Sequence, residues 1–223
     1  MRHALAALAL LAAGGATAGE LHVILVDQAG APVPDAVITV LPRADAAADP
    51  DPGPGTGAVP DAPQTKTIDQ TALRFAPYVE VFRPGDAVVF NNSDRTNHHV
   101  YSFSPLRSFE TVVAPGDRTA PMTLDAPGVV AVGCNIHDSM VTYLYVTDAP
   151  YAVRTGADGH VQFDDIPEGP WTVRIWQPRS RAPEQTVEHT VVPPKPGAPG
   201  VLHATLALRP DPRHVHDRET LKY

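Results

Sequence analysis

Short runs of alternating hydrophobic and polar residues cover most of the chain, and turn-forming residues separate these runs. Val79 and Val81 alternate with polar neighbours, whereas 129–132 and 142–146 are largely apolar runs typical of buried strands. Turn clusters of proline, glycine and asparagine recur about every ten residues, the spacing found in β-sandwiches and barrels. No stretch has the period of a long amphipathic helix. The pattern therefore predicts an all-β fold.

The composition agrees with many short strands, since 25 of the 223 residues are proline and 16 are glycine. Hydrophobic residues make up 43% of the chain, which is enough to bury a core and excludes wholesale disorder. The formal net charge of −8 disfavours binding to nucleic acid or to an anionic membrane surface. We therefore expect a globular protein whose partners are not polyanions.

The first residues have the features of a secretory signal peptide. A basic start at Arg2 precedes an apolar run over 4–13, and a small-x-small cleavage site ends at Ala18. We expect 1–18 to be removed and the mature protein to be exported, which in a bacterium means the periplasm. An uncleaved anchor is the alternative, although the run is short for a membrane span. No later stretch of the sequence is long and apolar enough to cross a membrane.

Shifts in composition divide the rest of the chain into segments. A stretch rich in alanine, aspartate, proline and glycine has the character of a linker, and a charged, proline-punctuated stretch without periodicity ends the chain. The segments are N-terminal strands over 21–43, a linker over 44–65, a first β-domain over 66–147, a second β-domain over 148–208 and a flexible tail over 209–223.

One short loop between two apolar strands carries Cys134, His137 and Met140. Two histidines, one cysteine and a weak axial methionine form the ligand set of electron-transfer copper sites. His98 and His99, on another predicted strand, are the candidates for the second histidine. Each residue also has an ordinary interpretation, as a buried inert thiol, as a polar histidine or as a core methionine. Cys134 is the only cysteine, so no intrachain disulfide can form.

These residues give the segment 75–146 a resemblance to the cupredoxins, the blue-copper proteins. The matching motifs are Val88-x-Phe90-x-Asn92, His98-x-Val100 and Cys134-x2-His137-x2-Met140. More narrowly, 98–104 and 133–138 resemble bacterial periplasmic proteins of the methylamine utilization type. The resemblance implies a cupredoxin Greek-key β-sandwich at 66–147, with one type 1 copper bound by His98, Cys134, His137 and Met140.

By this resemblance, His98 is the copper ligand and His99 replaces an asparagine that ties the two ligand loops together. Neighbouring side chains of a strand point to opposite faces, so only one of the two histidines can face the metal. Ile136 stands where many cupredoxins have proline, which alters the loop shape and leaves the ligand set unchanged. An oxygen ligand from Glu110 or Asp138 stays open, although soft thiolate sites seldom recruit carboxylates.

The flanking segments resemble the two halves of a carboxypeptidase-regulatory-like β-sandwich, which is Ig-like. Residues 26–36 match the first half and 155–169 match the second. The halves are adjacent in that family, whereas here the copper segment lies between them. We expect 21–43 to pair with strands of 148–208, so that the cupredoxin is inserted into the smaller sandwich. The alternative is that 21–43 forms the first hairpin of the cupredoxin.

The resemblance implies a periplasmic electron-transfer protein rather than an enzyme, since the strands lack the His-x-His pairs that further copper centres need. We expect a monomer that docks transiently on a dehydrogenase or a cytochrome c type protein. A hydrophobic rim around Ile136 would form the docking face, with His137 as the electron port.

His214 and His216 belong to the predicted solvated tail. The alternatives are a periplasmic copper carrier or chaperone using the same residues, and a metal-free adhesive or scaffolding sandwich. No role in methylamine use follows from the motifs.

Overall fold

The structure of the protein is a computed structural model. It describes residues 18–43, 62–137, 139–167, 170–192 and 199–214. The predicted signal peptide up to residue 17, most of the predicted linker and the end of the predicted tail lie outside these ranges. None of the described residues belongs to a helix that is long and apolar enough to cross a membrane.

The prediction of an all-β fold is confirmed, since the described residues form sixteen strands and two short 3-10 helices but no α-helix. The strands are β1 (Ala18–Asp27), β2 (Val37–Pro42), β3 (Thr65–Thr71), β4 (Arg74–Ala76), β5 (Val79–Phe82), β6 (Ala87–Asn92), β7 (His98–Ser104), β8 (Arg107–Val113), β9 (Met122–Thr123), β10 (Gly128–Cys134), β11 (Val141–Val146), β12 (Tyr151–Arg154), β13 (His160–Pro167), β14 (Trp171–Trp176), β15 (Thr186–Val191) and β16 (Gly200–Leu206). The 3-10 helices are Pro183–Gln185 and Pro212–His214.

The first two strands and the strands after residue 150 form one sandwich, which we call the flanking sandwich. Its sheets have the orders β13–β1–β16 and β12–β2–β14–β15. Alternation along β1 buries Leu21, Val23 and Leu25, which pack in one apolar core with Phe163 and Trp171. The intervening residues of β1 face outward, as in antiparallel sheets that cover a core on one side only.

Both N-terminal strands take their ladder partners from the C-terminal part of the chain. β1 lies between β13, which is antiparallel to it, and β16, which is parallel. β2 lies between β12 and β14, both antiparallel. Among the described residues, no strand between 65 and 146 pairs with β1 or β2. The chain thus leaves the flanking sandwich after β2 and returns to it at β12.

The strands between these two points form a second sandwich, the inserted sandwich. Its sheets have the orders β5–β11–β10–β7–β8 and β4–β3–β6–β9. Residues from both sheets, including Phe90 and Leu144, share a core that also contains Cys134 and Met140. The first strand begins at Thr65, one residue before the predicted domain boundary. The sulfur-bearing residues therefore lie inside the apolar interior of this unit.

A third apolar cluster joins the two sandwiches. Tyr78, Val79 and Tyr145 of the inserted sandwich pack against Val37 and Trp176 of the flanking sandwich. The ring centroids of Tyr145 and Trp176 lie 5.1 Å apart. Aromatic pairs of this kind contribute about 0.5–1.5 kcal/mol beyond the burial of their area. Packed side chains therefore hold the two units together, in addition to the two chain connections.

The beginning of the predicted flexible tail is docked on this junction. The Arg213 guanidinium lies 3.7 Å from the centroid of the Tyr78 ring, and it forms ion pairs with Asp211 at 2.6 Å and with Asp35 at 3.4 Å. Burial raises the pKa of Tyr78, so its phenol stays neutral beneath the cation. A cation–π contact and ion pairs thus tie 209–213, the start of the predicted flexible tail, to the junction. Residues 215–223 lie outside the described chain.

We expect Asp211 to stabilise the docked segment at neutral pH and to lose this role only in strong acid. Burial acts to raise the pKa of Asp211, but the hydrogen bonds and charge of Arg213 outweigh it and lower that pKa from 3.8 to about 2. A lowered carboxyl pKa stabilises the fold above the unfolded-state value, and the stabilisation is lost as the pH falls through the folded-state value. Asp211→Asn should therefore lower the free energy of unfolding at neutral pH by about 1 kcal/mol, after allowance for solvent screening.

Urea unfolding of the protein and of Asp211→Asn at several pH values measures this difference, which should shrink between about pH 4 and about pH 2. Asp125→Asn, at an exposed carboxylate, is the control and should change little at any pH. A difference between the protein and Asp211→Asn that persisted undiminished at the acid end would contradict the assignment.

Candidate metal centre

Strand β7 presents its two adjacent histidines to opposite sides of the sheet. His98 is fully buried, with 0% exposure, whereas 23% of the His99 side chain is exposed. The Nδ1 atom of His98 lies 3.7 Å from the Cys134 Sγ, and its Nε2 atom lies 2.9 Å from an Asp94 carboxylate oxygen. Because successive side chains of a strand alternate, the backbone alone determines which imidazole faces the thiol.

The end of β10 brings the Cys134 thiol beside β7. Cys134 is the Cα partner of Val100, and its side chain is buried in the core of the inserted sandwich. One residue later, the Asn135 amide donates a hydrogen bond to the His99 carbonyl at 3.0 Å. The two segments that carry the predicted ligands are thus joined by backbone pairing.

The loop after Cys134 closes on itself. The Met140 amide donates to the His137 carbonyl at 2.9 Å, and the Cys134 amide donates to the Met140 carbonyl at 3.2 Å. Met140 is 1% exposed and packs in the same apolar cluster as Cys134. The predicted axial residue is therefore an interior side chain held at the end of a short, internally bonded loop.

Three of the predicted ligands come together in the structure. One donor atom from each of His98, Cys134 and His137 lies within 4.8 Å of the other two, and no other group of three His, Cys, Asp or Glu side chains does so in the described part of the chain. The two imidazole rings have centroids 5.6 Å apart. The Nδ1 atom of His137 is buried and has no hydrogen-bond partner among the described residues. A buried unpaired polar atom costs about 1–3 kcal/mol, a penalty that a ligand on this nitrogen would remove.

A carboxylate that sequence reasoning did not single out holds the other side of His98. The Asp94 oxygen that contacts His98 Nε2 also accepts a hydrogen bond from the Leu73 amide at 3.0 Å. Buried Asn92 positions this loop, since its side-chain amide donates to the Thr96 and Val113 carbonyls and its oxygen accepts from the Asp94 amide. In the sequence this segment was recognisable only as a cluster of turn residues. The available signal for Asp94 was its position four residues before His98, a candidate ligand.

The two predicted candidates for an oxygen ligand, Glu110 and Asp138, are not among the clustered donor atoms of the described residues. Glu110 is exposed on the outer side of β8, where its carboxylate lies 2.7 Å from the His99 Nε2. His99 and Glu110 are not among the three clustered donors. Asp138 lies outside the described residues. His214 ends the second 3-10 helix, and His216 is also outside the described chain.

The surface near the candidate centre exposes several large apolar side chains. Ile136 is 52% exposed beside half-buried His137, and Phe103 and Val112 on the neighbouring strands are 76% and 63% exposed. Single exposed apolar residues are common, so the predicted hydrophobic rim depends on Ile136, which precedes His137 in the chain.

No protein-family model matches the chain, and no curated protein matches it. Solved structures similar to part of the chain include a copper-containing nitrite reductase from Thermus scotoductus, at 22% identity over 40% of this chain with a TM-score of 0.35. This chain covers only 23% of that reductase. Another is a purple cupredoxin from Nitrosopumilus maritimus, at 20% identity over 36% of this chain and 98% of the cupredoxin, with a TM-score of 0.33. A third is amicyanin from Paracoccus versutus, at 15% identity over 40% of this chain and 85% of amicyanin, with a TM-score of 0.34.

Gly133, next to the clustered cysteine, is required by the close approach of an aromatic ring. A Cβ atom at this position would lie 3.1 Å from the Tyr101 ring. Tyr101 is the cross-strand partner of Gly133, and its ring packs against Phe103 at a centroid distance of 5.1 Å, with the two planes tilted by 42°. A larger residue at 133 would therefore have to displace this ring or the end of β10.

We expect Gly133→Val to lower the free energy of unfolding by about 1–3 kcal/mol, the usual effect of overpacking. Gly156→Val is the matched control, because a Cβ atom there would meet only the end of the Asp158 side chain at 3.4 Å. Chemical denaturation of the metal-free variants measures both. Equal effects of the two substitutions would mean that the Tyr101 ring moves aside without lowering the free energy of unfolding.

Proposed function

We propose that this protein is an exported, cupredoxin-type electron carrier with one type 1 copper. The observation that carries the proposal is the convergence of donor atoms from buried Cys134, buried His98 and half-buried His137 within 4.8 Å of one another. The Nδ1 atom of His137 is also buried without a hydrogen-bond partner among the described residues. His98, Cys134 and His137 would hold the copper, and Met140 would be the weak axial ligand. Residues 66–147 would form the copper-binding domain, inserted into a sandwich built from 21–43 and 148–208.

The chemistry of the donor atoms selects the metal. A thiolate with two imidazoles in an apolar interior disfavours hard ions such as magnesium and calcium, which prefer oxygen ligands. A sulfur at about 2.3 Å and a nitrogen at about 2.0 Å from one ion, at a trigonal angle, lie about 3.7 Å apart. The Cys134 Sγ and the His98 Nδ1 are 3.7 Å apart, so these two atoms need not move to share an ion.

Residues around the ligands would keep the site rigid. The Asp94 carboxylate fixes the ring of His98 from the far side, because a ligand histidine usually donates its other ring N–H to an acceptor. The Asn135–His99 backbone bond ties the ligand loop to β7. Copper would supply a one-electron couple between Cu(II) and Cu(I). A stiff ligand frame lowers the reorganisation that accompanies electron exchange, which is the property that an electron carrier needs.

The surroundings of the site would determine access to a partner. His98 and Cys134 are buried, whereas His137 is half-buried beside exposed Ile136. Electrons would therefore pass through His137 to a transient redox partner, of the dehydrogenase or cytochrome c type, docked on the apolar rim. Burial of two ligands also argues against the copper-carrier alternative, since a carrier has to release its metal. The monomeric state and the periplasmic location belong to the same proposal.

Cys134→Ser should abolish the intense thiolate-to-Cu(II) absorption band, because an alcohol is a hard and weakly acidic ligand. Met140→Leu, which removes the thioether and roughly conserves volume, should keep the band and shift the reduction potential. Visible spectroscopy and voltammetry of the copper-loaded proteins measure both effects. An intense band in Cys134→Ser would refute the site, and loss of copper to a chelator during each redox cycle would favour the carrier.

His98→Ala should lose the type 1 spectrum, whereas His99→Ala should only perturb it. The reason is the alternation of β7, which buries His98 against the thiol and turns His99 towards Glu110. Electron paramagnetic resonance of the Cu(II) forms distinguishes the two, because a lost equatorial ligand changes the copper hyperfine coupling. The reverse result would place the strand in a register shifted by one residue.

A further inference from the structure

A second group of imidazoles lies on the outer face of the flanking sandwich. His22 is on β1, and His160 begins the neighbouring strand β13. The Nδ1 atom of His22 lies 3.1 Å from the Nε2 atom of His160, and the rings are tilted by only 21°. Both side chains are partly buried, and neither belongs to the donor cluster around Cys134.

We propose that His22 and His160 form a second metal site, for a borderline-soft divalent cation such as Zn²⁺ or Cu²⁺. Imidazole nitrogen is a preferred ligand of these ions and a poor ligand of magnesium and calcium. The proposal is independent of the copper centre, because the two histidines lie in the other sandwich and share no ligand with it.

The spacing of the two nitrogens is that of two ligands on one ion. Nitrogens at about 2.0–2.1 Å from a metal, with an angle between a right angle and a tetrahedral angle, lie about 2.8–3.4 Å apart. The observed 3.1 Å falls within this interval. Without a metal, one of these nitrogens must carry the proton that the other accepts. Binding of a cation at both nitrogens would move that proton to the other nitrogen of the same ring, so that each histidine would bind as a neutral imidazole.

The strands hold the pair in place. In the antiparallel ladder His160 is opposite Ile24, and His22 is opposite Gln162, so the two histidines are diagonal neighbours on one face. Hydrogen-bonded strands limit the movement of both backbones, and small rotations of the side chains would turn the ring nitrogens towards a common ion. The remaining coordination positions face solvent and would be filled by water.

A carboxylate stands on the far side of one of these rings. The Glu20 carboxylate lies 3.7 Å from the Nε2 atom of His22, while the Nδ1 atom faces His160. Asp94 and His98 make a shorter contact of this type, a hydrogen bond at 2.9 Å, at the candidate copper centre, whereas Glu20 at 3.7 Å faces His22 without a hydrogen bond. Carboxylate partners of this kind orient a ligand imidazole and increase its basicity. Glu20 is therefore a positioning residue in the proposal rather than a ligand.

Equilibrium dialysis of the untagged protein against Zn²⁺ tests the proposal. His22→Ala and His160→Ala should each bind one Zn²⁺ fewer per chain than the unmodified protein. His203→Ala is the matched control, because His203 is exposed on adjacent β16 and should leave the stoichiometry unchanged. Glu20→Gln should retain the site with an affinity weakened about tenfold.

Two outcomes would overturn the site. Unchanged zinc stoichiometry in His22→Ala and His160→Ala would show that the pair binds no metal. An equal loss in His203→Ala would overturn a site made by the His22–His160 pair alone, because His203 lies on the same face of the sheet, opposite Ile24. Zinc-dependent shifts of the His22 and His160 ring signals in NMR spectra locate the ion directly. The test compares the zinc stoichiometry of variants that differ only on one face of the flanking sandwich. Its result therefore stays valid even if the copper proposal fails.

Discussion

The pairing of β7 with β10 is the constraint on which the candidate copper centre depends. It places Cys134 opposite Val100, two residues beyond His98, so that the thiol and the imidazole meet on the inner side of the sheet. A slip of one residue would turn His98 outward and His99 inward, since the side-chain period of a strand is two. Val100, buried on the same face of β7 as His98, resists such a slip because it would be exposed at the same time.

Burying these polar donor atoms costs free energy unless they are hydrogen-bonded, and the surrounding loops supply most of the hydrogen bonds. His98 has 0% exposure, but its Nε2 faces Asp94 and its Nδ1 faces Cys134. Asn92, also fully buried, satisfies two backbone carbonyls and so orders the loop that carries Asp94. Within the described cluster, only the Nδ1 atom of His137 is buried without a hydrogen-bond partner. A protein interior tolerates such an atom where binding of a ligand removes the penalty.

Several features of the fold could be predicted from local pattern. The alternation of Val79 and Val81 identified the buried face of β5, and the spacing of Cys134, His137 and Met140 identified the loop. Strands β8 and β15 were not predicted, because their polar and apolar residues are mixed and both strands are supported by one neighbour, at a sheet edge. The contact between Asp94 and His98 spans only four residues, but the loop before β7 has no regular period that would place this carboxylate against the imidazole. The docking of Arg213 could not be predicted either, because it depends on contacts with Tyr78 and Asp35, which are distant in sequence.

The position of the inserted sandwich follows from the strands at which the chain leaves and returns. β2 and β12 pair with each other, and Val40 is the partner of Tyr151, so the two connections start from adjacent points. An insertion between neighbouring ends disturbs the host little, because the host strands remain paired. Two close connections alone would still allow rotation. The packing of Tyr145 and Val79 against Trp176, with Arg213 laid over Tyr78, opposes that rotation. The flanking sandwich thus holds the inserted sandwich, and with it the candidate copper centre, through packed contacts as well as through the chain.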